Sequence, residues 1–219
     1  MNFLAHYHLN HAIRGLPNDR AFVVGVALPD FWTRFSRSHR IHWRTVRGVA
    51  PRNPDEAALR DGLLNHAAAD AAFHALPLFA RWQREIRERV PPHGVHDAVE
   101  RFVAHVGVEL ALDRALLSRD AALADRFYAD FAACDPAWVG DAVAHVGGVQ
   151  APGLIEALRS FCQRAYLREY RHPLALRTVL ERLLATVGVD APPTAWLDAR
   201  VAAAIDVVRE EELWPLLSE

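Results

Sequence analysis

Apolar residues recur every three or four positions over most of this 219-residue chain, the spacing at which side chains share one face of an α-helix. That period predicts helices over 56–75, 76–90, 95–118, 120–133, 136–147, 152–170, 173–187 and 194–216. Proline supplies the punctuation. Pro77 breaks the chain just after the first of these, and Pro91-Pro92 part the second from the third. Asp135-Pro136 opens another, and Pro192-Pro193 precede the last, with Thr194 as its N-cap. Two-residue alternation is absent apart from the short apolar run 21–25. That run reads either as a strand or, because Gly25 leads into Leu28-Pro29-Asp30, as a helix end followed by a turn. The expectation is an all-α fold, a single-domain helical bundle over 1–219.

Polar residues on these apolar faces carry the candidate chemistry. In Gly62-Leu-Leu-Asn-His66-Ala-Ala-Ala-Asp70-Ala-Ala-Phe-His74, two histidines and an aspartate step by four along one helix face. Imidazole and carboxylate are the usual ligands of divalent transition metals, whereas burying such groups unpaired costs on the order of several kcal/mol. A second stripe, His105-Val-Gly-Val-Glu109-Leu-Ala-Leu-Asp113, repeats the spacing on the predicted 95–118 helix. Two such stripes facing one another would form a metal cage in a bundle. Asp30, fixed behind Pro29, and a histidine from the N-terminal cluster of His6, His8 and His11 would complete it. The candidate ligands are therefore His6, Asp30, His66, Asp70, His74, His105 and Glu109. A structural reading competes with this one: Asp70 paired with an arginine, His74 exposed ahead of Pro77, and Glu109 or Asp113 paired with Arg114 or solvent. His11, His39, His42, His93, His96, His145 and His172 are read as ordinary core or surface histidines.

Composition narrows the class. Hydrophobic content of 52%, charged content of 24% and a net charge of −2 describe an ordinary soluble globular protein with no global basic signature for nucleic acid. All 25 cationic side chains are arginine, which together with abundant alanine points to GC-rich bacterial coding rather than to function. Cys134 and Cys162 lack metal or disulfide-framework spacing. No charged segment leads into an apolar run at the start, and no apolar stretch reaches about 18 residues, so neither a signal peptide nor a membrane span is expected. The expected location is the cytoplasm.

Charge is nevertheless uneven. Between Asp30 and Asp55 lie Arg34, Arg37, Arg40, Arg44, Arg47 and Arg52, with Trp32, Phe35 and Trp43 interleaved and no acidic residue. At helical spacing Arg37, Arg40, Arg44 and Arg47 would share a face suited to phosphate or an acidic protein surface, since guanidinium forks bind oxyanions in bidentate fashion. The plain alternative is a solvated arginine face.

The opening Met1-Asn2-Phe3-Leu4-Ala5-His6-Tyr7-His8-Leu9 resembles the N-terminus of the bacterial acyl carrier protein phosphodiesterase family. Gly25-Val-Ala-Leu-Pro-Asp30-Phe31 is similar to that family's next motif, a glycine-containing apolar turn ending in aspartate. Gly62-Leu63-x-x-His66-Ala67-x-Ala69-Asp70 matches the frame of the motif after it, and a later element falls on His105 to Glu109. The resemblance covers roughly residues 1–113. It implies an HD-like, all-α, metal-dependent phosphodiesterase that releases 4′-phosphopantetheine from holo-acyl carrier protein, with manganese favoured and iron or zinc as other candidates. The implied site is His6, Asp30, His66 and Asp70, with Glu109 in addition. His66, Asp70 and Asp30 would act at the reacting phosphoester, and the arginine segment would receive the acidic carrier. Ala67 stands where the family has arginine, and His74 where it has a second aspartate. Those departures keep two other classes open: an HD-type phosphohydrolase acting on a small nucleotide or phosphoester, and a non-catalytic module that binds an acidic partner.

Overall fold

In this computed structural model the regular structure among the described residues is all helical; those residues are all but 14–18, 37–38, 93, 191, 210 and 213–219 and the side chains of 12, 13, 33 and 34. In chain order the helices are α1 (Phe3–His8), extended by a π-helical turn at Leu9–Ile13, α2 (Arg20–Phe35), α3 (Trp43–Gly48) and α4 (Pro54–His74). After these come α5 (Pro77–Arg89), α6 (Asp97–Arg119), α7 (Leu123–Ala132), α8 (Pro136–Gly147) and α9 (Leu154–Arg164). A 3-10 turn at Tyr166–Arg171 leads to α10 (Pro173–Thr186) and α11 (Thr194–Val207). The all-α expectation holds. Among the described residues no helix is long and apolar enough to cross a membrane.

Most predicted boundaries fall within a few residues of those found, and the differences have local causes. The 152–170 helix stops at Arg164 because Ala165 turns left-handed (φ 43°), and the chain continues as the 3-10 turn. Pro193, not Thr194, precedes the first turn of α11, and no side chain caps it. Neither reading of 21–25 survives: the run lies inside α2, which continues past both Gly25 and Pro29 to Phe35. Asp19 starts that helix, its Oδ1 accepting the Ala21 and Phe22 amides at 2.9 and 3.4 Å.

The helices gather into two compact units, each drawn from separated stretches of chain. One comprises residues 6–70 and 122–166. Its core centres on Phe161, whose ring lies 5.2–5.6 Å from those of Phe31, Tyr128 and Phe131. The other comprises residues 1–5 and 71–121 and the chain from Leu167 on. There α5, α6 and α11 pack around Trp82, Ile86, Val108, Leu110 and Leu197, all essentially inaccessible to solvent. Arg200 is buried among them, donating from Nη1 to the Ile86 carbonyl at 3.0 Å and lying over the Trp196 ring.

The start of α4 illustrates how a buried charge is satisfied. Asn53 Oδ1 accepts the Glu56 amide at 2.9 Å, and the Asn53 carbonyl accepts that of Ala57. The fully buried Glu56 carboxylate accepts the Arg52 amide at 2.8 Å and Arg52 Nε at 2.6 Å, and lies 3.0 Å from His145 Nδ1. Burial alone would raise its pKa, but the Arg52 and His145 contacts outweigh burial and hold it below the ordinary 4.5. A carboxyl depressed on folding adds stability above its unfolded pKa and loses it as pH falls through the folded value. Glu56→Gln is therefore expected to cost about 2 kcal/mol at pH 7. The gap to the parent should be constant above pH 4.5 and close as acid protonates Glu56, which urea midpoints measured from pH 7 downward will show.

Candidate metal centres

A close helix crossing sets up the first centre. Gly25 on α2 and Gly62 on α4 face each other. A Cβ at Gly62 would lie 2.3 Å from the Phe22 carbonyl oxygen and 3.0 Å from Gly25 Cα, and one at Gly25 would lie 2.1 Å from the Leu59 carbonyl oxygen. Only glycine at both positions lets the two backbones meet. One turn beyond Gly62, the crossing brings His66 against α2, where its Nδ1 lies 2.9 Å from the Val26 carbonyl oxygen. Pro29 lacks the amide that would bond the Gly25 carbonyl, so α2 is already loosened beside Val26. With Nδ1–H donated to Val26, the lone pair of neutral His66 sits on Nε2, the orientation that outer hydrogen bonds impose on metal-binding histidines.

His6 and Asp70 meet that nitrogen. The His6 ring stacks on His66 with centroids 4.1 Å apart, and His6 Nε2 lies 3.1 Å from Asp70 Oδ1. His66 Nε2 lies 3.5 Å from Asp70 Oδ2. In spite of the 3.1 Å approach, His6 Nε2 is not aligned for a hydrogen bond, and neither nitrogen of this wholly buried ring has a hydrogen-bond partner. An orphaned buried imidazole costs about 1–3 kcal/mol in a purely structural role; it fits the role of a ligand. Donor atoms held 2.0–2.2 Å from one ion stand roughly 3.0–3.5 Å from each other, the range of both contacts here. One donor atom from each of His6, His66 and Asp70 lies within 4.8 Å of the others.

The electrostatics favour a cation. Burial drives the His6 pKa down to about 3, leaving the ring neutral at pH 7 with Asp70 beside it. For Asp70, burial is outweighed by His6 and His66, which hold its carboxyl far below the usual carboxylate range. Burial would lower His66, but the Asp30 and Asp70 carboxylates more than offset this and raise it. Asp30 thus acts on His66 through its charge, while its oxygens stand outside the compact His6–His66–Asp70 group.

The remaining predicted ligands form a second group. His74 Nε2 and His105 Nε2 lie 3.0 and 3.2 Å from the same oxygen of Glu109, Oε1, with the two rings 4.6 Å apart. The Met1 nitrogen donates to that oxygen as well, at 3.1 Å. Burial would raise the Glu109 pKa, but His105 and His74 outweigh it and bring the carboxyl down to about 2. The single cage expected from two facing stripes is therefore two triads. His66 and Asp70 pair with His6, whereas His74, one turn along α4, belongs with α6.

Asp113, the last residue of the second stripe, has a structural role. Its buried carboxylate accepts the Leu4 and Ala5 amides at 3.3 and 2.8 Å and so caps the start of α1. The arginine face is smaller than its spacing suggested. Only Arg44 and Arg47 lie on α3, Arg40 is exposed in the segment before it, and Arg37 lies outside the described residues. The backbone of His42 is extended (φ −90°, ψ 97°), which is why the helix does not reach back to Arg40. Among the other histidines, His96 caps α6 by accepting the Ala98 amide, and His145 serves Glu56. The His11 ring lies tilted against that of Tyr7, centroids 4.4 Å apart, and the Tyr7 hydroxyl donates to Asp130 at 2.5 Å. His93 lies outside the described residues. The participant with no side-chain signature in the sequence is the Val26 carbonyl, whose nearest clue is Pro29.

No protein-family model matches the chain, no curated protein matches its sequence, and no solved structure matches its fold.

Proposed function

We propose that this protein is a divalent-metal-dependent phosphodiester hydrolase with His6, His66 and Asp70 as the ligands and Asp30 as the nearby charge. The observation that carries the reading is His66, its Nδ1 fixed on the Val26 carbonyl so that Nε2 converges with a neutral, orphaned His6 and an ionised Asp70. A two-imidazole, one-carboxylate set suits manganese, iron or zinc better than magnesium, and the family resemblance favours manganese. When bound, such an ion lowers the pKa of a water toward neutrality and offsets charge on the phosphoester oxygens. The chain's own residues hold and tune it. Val26 fixes the His66 tautomer, burial keeps His6 deprotonated, and Asp30 adds negative potential at His66.

The substrate reading follows the resemblance: the 4′-phosphopantetheine linkage of holo-acyl carrier protein. Exposed Arg40, Arg44 and Arg47 lie in the same unit as the triad and supply the basic surface for an acidic carrier, where attraction chiefly speeds encounter. A cytoplasmic location goes with that partner.

The test pairs metal content with turnover, in the parent and in His66→Ala. The parent is expected to purify with manganese, iron or zinc and to release phosphopantetheine from holo-acyl carrier protein, and the variant to lose both. Equal metal and turnover in the variant would sink the reading. Hydrolysis of bis-nitrophenyl phosphate with no action on the carrier would point to a small phosphoester as substrate. No metal after incubation with excess ion, together with a salt-sensitive complex, would point to a binding module.

A further inference from the structure

We infer that His74, His105 and Glu109 form a second, separate cation site, one that takes a borderline divalent transition ion such as zinc. The inference does not depend on the hydrolase reading, because these ligands share no residue with the His6–His66–Asp70 group.

The argument starts from crowding on one atom. A carboxylate oxygen has two lone pairs, and Glu109 Oε1 already accepts hydrogen bonds from the Met1 nitrogen at 3.1 Å and His74 Nε2 at 3.0 Å. The His105 Nε2, 3.2 Å away, is a third nitrogen converging on that same oxygen, so that the two rings share one atom. For an ion pair this is a surplus. For a coordination site it is the expected arrangement: ligand atoms bound about 2.0–2.2 Å from one ion stand roughly 3.0–3.5 Å apart, and both imidazole-to-carboxylate separations lie in that range. The two rings come from different helices, His74 from the end of α4 and His105 from α6, and both turn Nε2 inward on Glu109.

Accessibility separates this site from the first. The His74 and His105 side chains are 30% and 38% exposed and Glu109 15%, against 1% and 7% for His6 and His66. An ion can enter directly, and solvent can supply the remaining coordination position. Two nitrogens and one oxygen favour zinc over magnesium or calcium, which prefer all-oxygen shells. The Met1 nitrogen is the competitor, since an ion on Glu109 draws on the charge that now holds it.

Cobalt(II), a visible stand-in for zinc, provides the test. The protein, freed of metal, is titrated with cobalt while its d–d absorption is followed, beside His105→Ala and His66→Ala, with zinc stoichiometry by elemental analysis. Two equivalents are expected in the parent and one in each variant, with His105→Ala weakening the second site at least tenfold. Loss of one equivalent in His105→Ala alone upholds this site even where the first one fails. Three results would overturn it: unchanged stoichiometry in His105→Ala, a parent whose only equivalent disappears in His66→Ala, and cobalt binding only at millimolar concentration. Glu109→Gln, which keeps the size of the side chain and removes its charge, guards against a folding defect in the alanine variant. It too is expected to lose one equivalent, and Glu109→Gln protein that retains both would count against the site.

Discussion

Gly62→Ala is expected to destabilise the protein by about 3 kcal/mol or more, at the upper end of what overpacking costs, although the same substitution in an exposed helix stabilises by roughly 1 kcal/mol. The sign reverses because of what the new methyl group meets. It would lie 2.3 Å from the Phe22 carbonyl oxygen and 2.8 Å from the Val26 nitrogen. Both are backbone atoms, with no rotamer into which they can retreat, so α2 and α4 must separate. Gly140 on α8 supplies the control, since a Cβ there meets nothing nearer than the Ile155 Cγ1 at 3.5 Å. Gly140→Ala is expected to be neutral or to stabilise by as much as about 1 kcal/mol. Urea unfolding of the two variants beside the parent decides the matter. Equal midpoints for both would mean that the crossing is looser than the contacts at Gly62 indicate. Separation of these helices also carries His66 away from the Val26 carbonyl, so Gly62→Ala should lose metal along with stability, whereas Gly140→Ala should keep it.

That crossing marks the boundary of what the sequence could disclose. Helices such as α4, α5 and α8 were legible because apolar period and proline agreed on each, with Asp135 capping α8 as well. The predicted 56–75 and 136–147 match Pro54–His74 and Pro136–Gly147 closely. Gly25 and Pro29 misled because locally they signal an end, while the helix is continued by packing against Gly62, a residue distant in the chain. The residue types of the two candidate groups and their four-residue step were legible too. Their division into two triads was not, since periodicity places residues on a face without saying which partner the face meets at each turn. Asp113 shows the same limit: its spacing matches that of a ligand, yet its oxygens are taken by the Leu4 and Ala5 amides. The arginine segment failed for another reason. Its spacing is helical, but α3 begins only at Trp43, after His42 in an extended conformation, so of the four arginines only Arg44 and Arg47 lie on that helix.

On the proposed hydrolase reading, Asp70→Asn is expected to leave the protein folded and to lower its metal affinity at least a hundredfold, with turnover falling in step. The substitution preserves the shape of the side chain, so the effects of charge and of packing can be told apart. Of the three candidate ligands only Asp70 can bring negative charge: His6 is held neutral by burial, and His66 has its Nδ1 proton committed to Val26. An amide in its place offers one neutral oxygen, and its NH2 group points a donor where an ion needs a lone pair. A purely structural aspartate would behave otherwise. Its neighbours include two imidazoles, at 3.1 and 3.5 Å, so in that role its loss would shift stability, by about 1 kcal/mol for a hydrogen bond lost, and leave metal content untouched. Calorimetric titration with manganese and zinc, beside urea midpoints for parent and variant, separates the two. A large fall in affinity with a small change in midpoint identifies a ligand. The reverse would make Asp70 a buried ion-pair partner and remove the first centre from the protein.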